Sequence, residues 1–276
     1  MTADSPTTGT PATGTPATGT PAWPAPAPGA APLPRMVAAQ AGLELRTMAR
    51  NGEQLLLVVI IPVLLLAAFS REPLISFGPG RRIDFLAPGI LALAIMSTAF
   101  TSQAIATGFE RRYGVLKRLG ATPLERRGLI AAKTLAVLAV EVLQAILIVV
   151  VSLASGWQPH VGGGAGLWVL LLVLAGTAAF SGLALLLAGT LRAEATLAGA
   201  NLLYLVFLGL GGIVFPLARF PAGARPGLRL LPGGALSDGL RAVLQHGAGL
   251  PVRDLLVLCA WAVAAIALAV RTFRWE

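Results

Sequence analysis

GLIAAKTLAVLAVEVLQAILIVVVSLA, residues 128–154, is apolar throughout apart from Lys133 near its start, a few hydroxyls, and Glu141 with Gln144 near its middle. About 20 apolar residues in helical form cross the roughly 30 Å of hydrocarbon in a bilayer. This stretch reads as a transmembrane helix. The whole chain has the same character: 12% of its residues are charged, 56% are hydrophobic, and its mean hydropathy is +0.79. Soluble domains carry about 25% charged residues.

Five further apolar segments follow the same rule. LLLVVIIPVLLLAAF (55–69) is short and needs residues 51–70 to reach across. FLAPGILALAIMSTAFTSQAIATGF (85–109), GLWVLLLVLAGTAAFSGLALLLAGTL (166–191), ATLAGANLLYLVFLGLGGIVF (195–215) and VRDLLVLCAWAVAAIALAV (252–270) are long enough or nearly so. Pro62 and Pro88 are tolerable because neighbouring helices resupply the lost backbone partners. The expected fold is an all-α membrane protein of six transmembrane helices, over residues 35–276.

Residues 1–34 are different. GTPATGTPATGTPA repeats a short unit, Pro and Ala continue it, and no Lys or Arg precedes Arg35. Such a segment buries no core and reads as a disordered Pro/Thr/Ala/Gly-rich tail. It lacks the basic and apolar regions of a signal peptide. Between the tail and the first span, Val37, Ala41, Leu45 and Met48 share one helical arc opposite Arg35, Arg46 and Arg50, which predicts a short interfacial helix. Leu43 and Glu44 spoil that pattern.

The net charge of +9 excludes little by itself. No basic stretch is interleaved with stacking aromatics, so nucleic acid is not the expected partner. In a bilayer protein the basic residues report orientation. Cytoplasmic termini place Arg35, Arg46, Arg50, Arg192, Arg271, Arg274 and the seven Lys and Arg of 109–133 on the inner side, which is 13 of the 21. Cys259 is the only cysteine, so no internal disulfide or cysteine-based zinc site forms.

The second and third spans are joined by FERRYGVLKRLGATPLERRGLIAAK (109–133). On a helical wheel Phe109, Arg112, Val115, Leu116 and Leu119 share one side, with Tyr113 at its edge. Glu110, Arg111, Gly114, Lys117 and Arg118 share the other. Gly120 suits a helix stop, and Thr122, Pro123 and Glu125 form a capping box for a new helix. A rigid helix joined directly to two spans suits a lever that receives force from a partner; an anchor on anionic lipid is the simpler alternative.

ERRYGVLKRLGATP resembles the coupling-helix segment of ABC transporter permeases of the type-2 class, notably the daunorubicin-resistance-like exporters. LPGGALSDGLRAVL (231–244) before the last span is similar to that family's extracellular element, and RTFRWE to its basic-aromatic ending. The resemblance covers about residues 35–276. It implies a plasma-membrane permease for drug, hydrophobic metabolite or lipid efflux, with multidrug efflux and antibiotic resistance as its setting. It also implies a homodimer and a separate ABC ATPase subunit docked on Glu110, Arg111, Arg112, Tyr113, Gly114, Leu116, Lys117, Arg118 and Leu119. ATP and Mg would belong to that partner, with no cofactor bound by this chain. The sequence agrees in lacking a phosphate loop: the nearest approach, RGLIAAKT, has Arg127 and Ala132 where glycines are required. Lys133 then reads as marking the cytoplasmic entrance of the third span.

Polar residues within the spans are the other candidates. A charged Glu141 near bilayer centre costs about 2.5–3.5 kcal/mol. Protonation, a polar partner on another helix, or a hydrated path would each compensate it. Gln144 lies one turn on. The second span offers Thr101 and Gln103, with Ser97/Thr101 and Thr98/Ser102 as i,i+4 pairs that glue helices or line a path. In the fifth span Asn201 and Tyr204 are one turn apart, followed by Gly209, Gly211 and Gly212. The broken segment 216–251 predicts short re-entrant helices.

Two rivals fit less well. An ion-coupled secondary transporter would show inverted repeats and broken helices around a midplane ion site, and no repeat relates the halves. A hydrolase would need a nucleophile–base pair or metal ligands, and His160 and His246 both lie outside the spans. Deleting residues 2–34 is expected to leave membrane insertion and export intact. Lost transport at normal protein levels would give the tail a function.

Overall fold

The computed structural model describes residues 31–71, 81–213 and 215–272, and among them there is no strand. The repeat-bearing tail up to residue 30, the 72–80 connection and residues 273–276 of the RTFRWE ending lie outside the described residues. The helices are α1 (Leu33–Arg50), α2 (Gly52–Arg71), α3 (Arg82–Met96), α4 (Gln103–Arg112), α5 (Val115–Gly120), α6 (Arg126–Ala154), α7 (Ala165–Thr190), α8 (Ala193–Leu210), α9 (Arg225–Leu228), α10 (Pro232–Leu244) and α11 (Val252–Thr272). A π-helical stretch, Ser97–Ser102, joins α3 to α4 into one rod.

Five helical stretches are long and apolar enough to cross a membrane: Arg82–Arg112, Arg127–Ala154, Ala165–Thr190, Ala193–Leu210 and Val252–Thr272. The chain is a multi-pass helical membrane protein. The first expected segment forms α2, 20 residues with Pro62 inside, although the side chains of residues 53–59 and 69–71 are not among those described. The fifth segment stops at Leu210 instead of Phe215, because the chain turns at Gly211 and Gly212, the latter at φ +67°. That left-handed backbone suits glycine, which has no Cβ to clash.

The helix expected at the membrane surface, α1, begins at Leu33, two residues before the expected boundary, with Pro34 in its first turn. Proline fits there because the first helical N–H groups have no intrahelical partner. The face of α1 that packs on α6 keeps most of the expected apolar arc: Val37, Ala41 and Met48 are partly buried, Gln40 and Glu44 turn inward beside them, and Leu45 alone of the arc is exposed.

The centre of the bundle is apolar. Phe100 of the π-helical stretch, Phe180 of α7 and Phe207 of α8 form a triangle with ring centroids 5.8 to 6.5 Å apart. Such tilted and edge-to-face pairs favour fixed geometry over sliding contact.

One end of the bundle, here termed proximal, carries α1 and the 113–125 connection. The opposite, distal end is closed by the segment between α8 and α11. Its short helices, as expected, are broken pieces, and α10 packs against α3, α7, α8 and α11. Arg241 holds this cap. Its side chain is buried and donates to the carbonyls of Gly212 at 2.6 Å, Ile213 at 2.8 Å and Phe85 at 3.3 Å. The guanidinium lies 3.8 Å from the centroid of the Phe85 ring, a cation–π contact. Gly89 makes room for it, since a Cβ there would stand 2.6 Å from both Arg241 Nη2 and the Ile213 carbonyl oxygen. Ser237 adds a hydrogen bond to the Gly211 carbonyl at 2.9 Å.

Each buried carbonyl left without a donor costs about 1–3 kcal/mol. Arg241→Met should therefore lower the stability of the purified protein by at least ~2 kcal/mol, read as a fall in thermal unfolding temperature, and Gly89→Ala should do the same by collision. Wild-type unfolding in both variants would remove Arg241 from this role.

Candidate functional site

Lys133 lies in α6, about two turns inside the proximal end, and its side chain is 3% exposed. An ammonium at that burial needs compensation. It receives it twice: Nζ is 2.7 Å from Glu110 Oε2 on α4 and 2.9 Å from Glu44 Oε1 on α1. Gln40, one turn before Glu44, donates its amide to Glu44 Oε1 at 2.9 Å. Three helices thus meet on one cation. Lys133 is no mere entrance marker, and the glutamate that spoiled the α1 pattern is its partner.

The two residues after Glu110 reach the opposite way. Arg111 donates to the carbonyl of Leu191 in the turn between α7 and α8, and Arg112 pairs with Glu194 at the start of α8 at 2.6 Å. Both members of the second pair are largely exposed, which limits its worth to about 0–1 kcal/mol. Successive residues of the E-R-R triplet project in different directions at about 100° per residue. One short sequence therefore ties the end of α4 to α1, α6, α7 and α8.

The connection itself differs from the expected continuous helix over 109–119. α4 ends at Arg112, Tyr113 stacks on Phe109 at 6.3 Å, and Gly114 takes the left-handed conformation at φ +69°. The wheel fails there because the backbone turns. The separate helix α5 buries Leu116 against Leu124 and Leu129, with Met36, Val37 and Leu119 packed around them. The capping box also shifts: Thr122 donates to the Leu119 carbonyl at 2.6 Å, and Glu125, in extended backbone, is the residue that precedes α6. Tyr113, Val115, Lys117 and Arg118 remain on the exposed side.

The intramembrane candidates fall into three groups. Glu141 and Gln144 belong to a polar layer across the bundle. Thr98 donates to Gln144 Oε1 at 2.9 Å, linking the α3–α4 rod to α6. Thr177 of α7 donates to Glu141 Oε2 at 2.5 Å. The π-helical turn replaces the expected i,i+4 hydroxyl pairs, and Thr98 faces another helix. Gln103 is buried beside a small cavity of about 70 Å³ that also touches Lys133, Glu110 and Glu44. Its amide atoms and the Thr107 hydroxyl have no partner among the described residues, nor does the hydroxyl of Thr101. A polar cavity of that size has room for water. Asn201 is exposed and Tyr204 half-buried on α8; neither lines this cavity.

Sequence reasoning missed the Lys133–Glu44 pairing. Its signal was present as two opposite charges, each unexplained on its own apolar helix.

A bundle of apolar helices closed at one end and tied together at the other through a basic connection is a multi-pass membrane domain. The family model for the ABC-2 type transporter matches residues 41–244, and the chain belongs to that family. It is accordingly the permease component of an ABC transporter, a transmembrane part that is not itself catalytic. The match begins within α1 and ends with the last residue of α10. No curated protein gives a significant match.

Removing one member of a buried ion pair costs about 3–5 kcal/mol, because the remaining charges lose their compensation. Lys133→Met should destabilise the purified protein on that scale, and adding Glu44→Gln with Glu110→Gln should recover much of the loss. A single variant as stable as wild type would show that Lys133 does not organise this end.

Proposed function

We propose that the chain is the channel-forming half of an ATP-driven exporter of the daunorubicin-resistance-like type, with a drug, hydrophobic metabolite or lipid as cargo. Six spans would cross the plasma membrane with both termini cytoplasmic, which puts the proximal end and the basic 109–133 connection inside, as the charge bias favours. A second copy would complete the permease, and ABC ATPase subunits, carrying ATP and Mg, would dock at the proximal end. The family generally works with such ATPases, and its membership leaves the ion-coupled alternative without support.

The observation that carries the coupling role is the E-R-R junction. A force applied to the connection enters at the end of α4. Glu110 passes it to α6 and α1 through Lys133, while Arg111 and Arg112 pass it to the α7–α8 turn. Ties of this kind, strong at the buried lysine and weaker at the exposed arginine pair, move helices together, which opening a path outward would require. Docking falls to Tyr113, Val115, Lys117 and Arg118, which are exposed, and Leu116 instead holds α5 onto α1 and α6.

The two faces are separable by experiment. Tyr113→Ala with Val115→Asp should abolish co-purification with a co-expressed ABC ATPase subunit and its stimulation by the permease, at unchanged thermal stability. Leu116→Asp should lower stability first. Undiminished ATPase binding and export in the Tyr113/Val115 variant would sink the docking assignment.

A further inference from the structure

Between α3, α6 and α7, in the distal half of the bundle, lies a cavity of about 270 Å³. Its walls are aliphatic, from Leu91 and Ile95 on α3, Val149 on α6, and Val169 and Val173 on α7. Trp157, with Leu240 and Leu244 of α10, closes its distal end. Val161 and Gly166, also on its lining, are exposed, so its mouth is on the surface between α6 and α7. The volume is just below the roughly 300–1,000 Å³ typical of small-molecule pockets.

Two polar side chains, Glu141 and Gln144, interrupt this lining at its proximal end. Glu141 is 3% exposed, and only one carboxyl oxygen is engaged, by Thr177. The other, Oε1, has no hydrogen-bond partner among the described residues. No Lys or Arg lines the cavity. At the far end Trp157 Nε1, also buried, is likewise without a partner.

We propose that this cavity binds a small lipophilic amine, with its hydrocarbon body between α3, α6 and α7 and its nitrogen at Glu141. An apolar cavity is not satisfied by water, which needs two to four polar partners. An alcohol supplies one hydrogen bond but no charge. An amine supplies both: as an ammonium it donates N–H to Oε1, and if the carboxyl starts protonated it accepts that proton and forms the same pair. The aliphatic walls then strengthen the pair by excluding water.

As a statement about cargo this rests on the exporter reading above; as a statement about binding it does not. The test therefore measures binding. Full-length protein in lipid nanodiscs is titrated with radiolabelled 1-aminoadamantane and, as its neutral match, 1-adamantanol. Wild type should bind the amine saturably and more tightly than the alcohol. Glu141→Gln, which keeps the shape of the side chain, should weaken the amine roughly tenfold or more and leave the alcohol unchanged. Val169→Trp should fill the cavity and weaken both.

Equal affinity of wild type for amine and alcohol, or an unchanged amine affinity in Glu141→Gln, overturns the proposal. If Glu141→Gln fails to fold, the amine–alcohol difference in wild type and its loss in Val169→Trp decide the matter. Saturable amine binding without amine export leaves the site standing and refutes the exporter reading for this cargo. Amine export without saturable binding does the reverse.

Discussion

An ammonium group that is almost wholly enclosed by protein cannot stay charged without close anionic partners. Lys133 is such a group, and the proximal half of the molecule follows from it. α6 has to bring it between α1 and α4; α1 has to turn Glu44 inward against its own apolar pattern; α4 has to extend far enough to present Glu110. Once Glu110 is fixed, helical geometry sends Arg111 and Arg112 to the α7–α8 turn. A single buried charge thus joins three helices, and the two arginines beside its partner extend the connection to α7 and α8.

The distal end solves a similar problem with different chemistry. Arg241 is also buried, but its main partners are carbonyl oxygens of residues 85, 212 and 213. A planar guanidinium with five fixed donors suits several carbonyls converging from a turn, whereas the compact lysine charge suits two carboxylates. The difference has a mechanical side. Two of the carbonyls belong to one chain reversal and the third to α3, so the arginine clamps the cap onto the bundle. Carboxylates on separate helices belong to separate bodies, so the lysine joins them.

Much of the fold was legible from hydropathy alone, because apolar segments that match bilayer thickness have few alternatives. That the connection between α4 and α6 carries a short helix and then restarts was legible too, in its apolar spacing and its threonine and proline. What failed was anything that depended on partners from elsewhere in the chain. Glu44 read as a defect because its reason is on α6, and Lys133 read as a boundary because its reasons are on α1 and α4. The helical wheel over 109–119 failed for a local cause, since Gly114 permits a left-handed turn that a wheel cannot represent. Glu141 stood out correctly as a residue needing compensation, and Thr98 as a hydroxyl able to join helices, but Thr177, which supplies the Glu141 partner, carries no distinguishing mark in sequence.

The π-helical turn at Ser97–Ser102 gives the α3–α4 rod an angular offset. Wider turns hold more residues than the 3.6 of an α-helix, so the two halves of one continuous rod are no longer in phase. The distal half can present Phe85 and Gly89 to the cap while the proximal half presents Glu110 to Lys133, although an unbroken α-helix would align different side chains over that length. The stretch acts as a vernier between two docking problems. Gain or loss of one residue there would rotate one half relative to the other by about 100°, re-indexing every proximal contact without altering a single residue that makes them.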